Sequence, residues 1–261
     1  MTESLASATF GQVPIVTEDI ARRLLCYVRP GIANVADKDS KQSVDIAEKM
    51  IRLLWRELPG NAEEVVRPAQ TRGASLEDEV KEYLTEKLST LDPTRAWTVT
   101  RGQPISQFKQ YKHLATVRRL VQDDQTGVLR DTLGADYVIA PDVVVAEGPL
   151  DDQVLHASVS CKWTIRSDRV QNARHEANIL IRHRRGRAPH IVAVTAEPLP
   201  TRLASIARGT GEIDATYHIA LPALRDSVSA VGNRDQQSVL EELVANSRLS
   251  DLASLPHDLL H

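Results

Sequence analysis

Four β-rich runs, DYVIAPDVVVAEG (136–148), LHASVSCKW (155–163), HIVAVTAE (190–197) and IDATYHIAL (213–221), are separated or followed by helical candidates at 168–185, 200–208, 222–231 and 235–246. Strands that alternate with helices in this way predict an α/β fold, a mixed β-sheet core flanked by helices. The first third is different. Thr17 heads a helical pattern through Val28, a stronger one runs through SVDIAEKMIRLLWREL (43–58), and Ser75 with Asp78 resembles a capping box ahead of Leu76, Val80, Tyr83, Leu84 and Leu88. AWTVT (96–100) predicts a short strand, and 106–133 is polar and helical in character. No repeat or interdomain linker divides the 261 residues, so the expectation is one domain over 1–261: a mostly helical part, 1–135, packed on an α/β core, 136–261.

Composition removes several alternatives. Two cysteines, Cys26 and Cys161, cannot build a disulfide framework or a multi-cysteine zinc site. No apolar run approaches the ~20 residues that span a bilayer, and MTESLASATF lacks the pattern of a secretory signal. The expected setting is a reducing cytoplasm, with no membrane partner. Aromatic residues are only 4%, which leaves little for stacking single-stranded bases. The formal charge of −3 hides an uneven distribution: residues 162–187 hold Lys162 and seven arginines against Asp168 and Glu176, a local charge of +6. Such a stripe predicts a polyanion-binding surface, although a solvated helix face would look the same.

Chemistry concentrates around LHASVSCKW. Alternation puts Leu155, Ala157, Val159, Cys161 and Trp163 on one face and His156, Ser158, Ser160 and Lys162 on the other. Lys162 at a strand end is either an edge-strand charge or half of a charged site. Asp142 supplies a carboxylate in the otherwise apolar run VIAPDVVV, where an unpaired charge costs several kcal/mol. The flanking β-branched residues favour a bulge or sharp bend over an exposed turn. Glu176 lies two helical turns after Arg169, on the same helix face. If that helix starts near Ser167, its N-terminus aims at the Lys162 end of the strand. Two carboxylates and an ammonium suit a hard divalent cation with oxygen ligands, Mg²⁺ foremost, held by Asp142 and Glu176.

Asp142, Ser160-Cys161-Lys162 and Glu176 resemble the PD-(D/E)xK nuclease site in its permuted form, with Ser160 in the slot of the strand's acidic residue. The segments SCKWTIRSDRVQNARHE (160–176) and RAPHIVAVTAEPLPTRLASIARGTGEID (187–214), and the tail DLASLPHDLL, are similar to the NgoMIV-like, CCGG-recognising type II restriction endonucleases, from about Gly31 to Leu260. The resemblance implies a Mg²⁺-dependent hydrolase of double-stranded DNA on the restriction-endonuclease core, with Asp142, Lys162, Glu176 and Ser160 as its catalytic set. It places Glu77 as a further acidic residue of the site, though a solvated helix glutamate fits as well. It assigns Arg166, Asp168 and Arg169 to reading CCGG, a role that suits arginine toward guanine and aspartate toward cytosine N4; a helix cap with a local ion pair is the alternative. Gln70 and Asp37 match readers of an outer base pair, implying GCCGGC cut after the first G, while each also fits a turn or cap. A palindrome implies a homodimer, and the family adds a homotetramer holding two sites. The connector AEGPLDDQVL (146–155) is short for that pairing, so both states stay open. A cognate methyltransferase acting on the same DNA site completes the restriction-modification system. A non-catalytic DNA-binding protein and a PD-(D/E)xK repair nuclease or resolvase are the competing readings.

Overall fold

The computed structural model describes residues 15–29, 31–55, 72–133, 139–209 and 211–261. The helical N-terminal part comprises α1 (Ile15–Leu24), the two-stranded hairpin β1 (Tyr27–Arg29) and β2 (Ile32–Ala33), α2 (Lys41–Leu54) and α3 (Arg72–Leu91). Then come β3 (Trp97–Arg101), α4 (Lys112–Asp123), α5 (Val128–Leu133), β4 (Val143–Glu147), β5 (Val154–Lys162), α6 (Ser167–His183), β6 (His190–Thr195) and α7 (Pro200–Ala207). The chain ends through β7 (Ala215–His218), α8 (Leu221–Val231), α9 (Arg234–Ala245), β8 (Leu249–Asp251) and α10 (Leu255–Asp258). The expected α/β class is therefore present, as a six-stranded mixed sheet in the order β3-β4-β5-β6-β7-β8.

The sheet changes character at β5. Its pairing with β4 is antiparallel, and β4 pairs antiparallel with β3; from β5 through β8 every pairing is parallel. Parallel neighbours require a crossover, and α6 and α7 supply it between β5, β6 and β7. Val143, Val144, Val145 and Ala146 are all buried, so β4 is covered on both faces and its sequence does not alternate. β5 alternates in sequence, yet His156 and Ser158 are buried too. The expected open polar face is thus covered over most of the strand and half-open only at Ser160 and Lys162. His156 Nε2 hydrogen-bonds Leu259 O at 2.6 Å, which ties the C-terminal segment over that face.

Three local expectations need correction. The first helix ends at Leu24, and Tyr27–Arg29 turns into a strand because the chain pairs with Ile32–Ala33 across Gly31 at φ +73°. α2 is capped by Ser40, whose side chain accepts from the Ser43 backbone N–H; Asp37 is not its cap. α3 begins at Arg72, so Ser75 and Asp78 fall inside the helix and form no capping box. β8 was not foreseen; LSD is too short and polar to read as a strand without its neighbour β7.

Candidate functional site

The bend Pro141-Asp142 precedes β4, where Gly102 N–H reaches Pro141 O at 3.2 Å and Asp142 O at 3.3 Å. A bend, the alternative expected from the β-branched flanks, turns the Asp142 side chain onto the end of β5. Its Oδ2 accepts from Cys161 N at 2.8 Å and from Lys162 Nζ at 2.7 Å. Both partners of this ion pair are mostly shielded, with side-chain exposures of 14% for Lys162 and 25% for Asp142. Ser160 Oγ, one step back on the same face, is buried without a hydrogen-bond partner. Cys161 lies between Ser160 and Lys162 on the strand, and burial pushes its thiol well up.

Glu176 comes from α6. Because only four residues separate the end of β5 from the start of α6, the helix's first three turns bring Glu176 to the cleft that Lys162 lines. Burial raises the proton affinity of Glu176; Asp142 adds to the rise and Lys162 opposes it. These residues line one open cleft of about 610 Å³, together with Glu77, Arg166 and Arg169. Glu77 is held on the cleft wall by the Arg101 guanidinium, with Nε at 3.0 Å. Among the described residues no three His, Cys, Asp or Glu side chains lie close enough to hold a metal by themselves. The donors of the cleft that fit a hard cation are the two carboxylates Asp142 and Glu176.

Arg166, Asp168 and Arg169 sit at the start of α6. Arg169 Nη1 donates to Thr164 O at 3.1 Å and Thr164 Oγ1 at 3.2 Å, which holds its guanidinium at the cleft. Arg166 and Asp168 also line a second opening with Asp37 and Arg202. Asp37 is paired with Arg202 of α7, 165 residues away; that guanidinium, with the Asp39 N–H, holds its carboxyl below the usual range. The β1–β2 hairpin makes this meeting possible, since Asn34 O accepts from Trp163 Nε1 at 3.4 Å just beyond β5. Gln70 lies outside the described residues.

The rest of the basic stripe is elsewhere. Arg182, Arg184, Arg185 and Arg187 are exposed at the other end of α6, away from the cleft. Two site-adjacent residues escaped the sequence analysis, Arg202 and Glu197. Glu197 is fully buried and accepts from Ile165 N at 2.8 Å and Leu199 N at 3.1 Å. The clue that singled out Asp142, one carboxylate beside a proline in an apolar run, is also present in VAVTAEPLP. Arg202 had no comparable clue, because its partner is remote in sequence.

The model described as NgoMIV restriction enzyme matches residues 17–154 and 151–260. The type II restriction enzyme NgoMIV of Neisseria gonorrhoeae is 35% identical over 263 residues, covering 88% of this chain and 90% of that one. A solved chain, from the crystal structure of the pre-specific restriction endonuclease BsaWI–DNA complex, aligns over 80% of this chain and 88% of its own. Its TM-score of 0.32 and 11% identity are too low to build on. The first two matches run through the Asp142, Lys162 and Glu176 positions and both halves of the chain, and on them the chain belongs to the NgoMIV restriction enzyme family.

Proposed function

We propose that this chain is a Mg²⁺-dependent type II restriction endonuclease that hydrolyses double-stranded DNA at a CCGG-containing palindrome, GCCGGC cut after the first G. The observation that carries the reading is the convergence of Asp142, Lys162, Glu176, Arg166 and Arg169 in one cleft. Mg²⁺ bound at Asp142 and Glu176, beside Ser160, would acidify a water and screen the phosphate. Lys162, steered by Asp142, orients that water and stabilises the charge that builds on the phosphoryl oxygens as the phosphodiester bond breaks. Glu77 adds a further acidic group to the cleft wall.

Sequence reading falls to the two helix starts. Arg166 and Arg169 offer bidentate donors to guanine O6 and N7, and Asp168 accepts from cytosine N4. The Asp37–Arg202 pair offers the same acceptor and donor side by side, as a G·C edge in the major groove demands, and so takes the outer base pair with Gln70. A palindrome requires two copies, so the working form is a homodimer, with two dimers joined as a homotetramer in the two-site state. The whole of 1–261 serves as one restriction-endonuclease-like domain. No described helix is long and apolar enough to cross a membrane; the proposed setting is the cytoplasm, where a cognate methyltransferase protects the same site.

The test is incubation with Mg²⁺ and plasmids carrying zero, one or two GCCGGC sites, with Lys162→Ala as control. Cleavage confined to those sites, faster with two, is the expected result. Cutting at other CCGG sites would remove the outer-pair assignment, and tight binding without cutting would favour a silent DNA-binding protein.

A further inference from the structure

Two helix starts flank the reading surface, and both are tied to one buried carboxylate. α6 begins behind Arg166 and α7 behind Leu199, and neither residue caps its helix with a side chain. Glu197, two residues past the end of β6, stands between them. Its Oε2 accepts from Ile165 N–H at 2.8 Å, immediately before Arg166, and its Oε1 accepts from Leu199 N–H at 3.1 Å. One oxygen is thus committed to the segment carrying Arg166, Asp168 and Arg169, the other to the helix carrying Arg202. Arg166, Asp168, Arg202 and Asp37 line the opening above this junction. Glu197 itself has no exposed surface, so it touches no DNA.

We propose that Glu197 is a positioning residue for specificity, which sets the spacing between the Arg166–Asp168–Arg169 reader and the Asp37–Arg202 pair. Neighbouring base pairs are about 3.4 Å apart along the duplex. Two readers on separate helices can match them in register only if their backbones are held to a fraction of that step. Above about pH 7, where it is ionised, the Glu197 carboxylate serves because both of its oxygens accept, so it satisfies two N–H groups that approach from different elements. A carboxamide does not: its nitrogen would face one of the N–H groups donor to donor and release that side. The inference rests on the base-reading roles proposed above.

The experiment is Glu197→Gln in the full-length enzyme. kcat/KM is measured on the duplex it cuts best and on duplexes with each base pair of the half-site replaced in turn. The expected result is a fall of roughly tenfold in the cognate-to-variant ratio at the junction of the inner and outer pairs. The ratio is independent of how much enzyme is folded, so mere destabilisation leaves it unchanged. An unchanged ratio overturns the proposal. If Glu197→Gln does not fold, Glu197→Asp, charged but one methylene too short to span both N–H groups, must show the same fall; wild-type discrimination in that variant is equally fatal. Arg169→Ala and Arg202→Ala on the same duplexes separate the two levels. If they lose discrimination and Glu197→Gln does not, only this inference fails; if they too keep it, the base-reading assignment fails first.

Discussion

The two ends of α6 carry the same residue type in opposite surroundings. At its start, Arg169 is held by Thr164 and Arg166 lines two adjoining openings, beside Lys162 and the buried anchor Glu197. At its end, Arg182, Arg184, Arg185 and Arg187 are exposed, and none makes an ion pair among the described residues. Seventeen helical residues separate the two groups by roughly 24 Å. The difference follows from the parallel pairing of β5 and β6. The crossover helix must run back toward the start of the next strand, so only its first turns share the end of the sheet where β5 stops, the edge at which α/β sheets form their crevices. Arg182, in the last turn of α6, complements the negative end of the helix dipole.

The comparison can be broken at the anchored end first. A chelator should abolish cleavage in a plasmid assay; persistent cutting would remove the Asp142–Glu176 metal assignment. Lys162→Ala should lower the single-turnover rate by roughly 10²–10³-fold while specific binding, followed by gel shift, survives. Loss of binding as well would make Lys162 a structural group of the Asp142 pair.

Glu197 provides the next test, through stability. Burial pushes its carboxyl up to about 7, against the hydrogen bonds from Ile165 and Leu199. A raised folded pKa means that the native state holds the proton more tightly, so stability is fully present below the unfolded value and declines as pH rises through about 7. Wild type should therefore lose about 3 kcal/mol relative to Glu197→Gln between pH 4.5 and 7.5, measured by urea unfolding. The variant difference isolates Glu197 from neighbours such as His218, which burial lowers to about 4 and which works in the opposite sense over pH 4–6.5. A flat difference would show that Glu197 is ionised without penalty.

Smaller effects distinguish the two arginine groups directly. Arg169→Ala should cost about 1–3 kcal/mol of discrimination at one guanine. Arg184→Ala with Arg187→Ala should leave discrimination alone and, at most, reduce the salt dependence of non-specific binding by less than one unit of slope per charge. Discrimination lost at the far end would mean that the whole stripe lies on one DNA surface after all.

Much of this was legible along the chain. The β-rich runs from 136 to 221 named four of the six strands of the sheet, β4 to β7, and Asp142, Lys162 and Glu176 stood out because charge among apolar residues or at a strand end calls for a partner. The β1–β2 hairpin and β8 were illegible, since strands of two or three residues exist only through the neighbours they pair with. The basic stripe was legible as charge but not as two separate groups, because one-dimensional density does not show which way a helix axis runs.

Local pattern alone determined the class of sheet, the family resemblance and which strand end bears the charged residues, because periodicity, turn residues and buried charge act over a few positions. Only the tertiary structure decided that Asp37 meets Arg202, that Glu77 is held by Arg101 and that Glu197 joins two helix starts. Those contacts span 165, 24 and 32 residues in their longest reach. The Asp37 and Glu197 contacts depend on the hairpin packing against Trp163 and on the parallel order of β5 and β6, and the Glu77 contact on α3 packing against β3; no local preference encodes any of these.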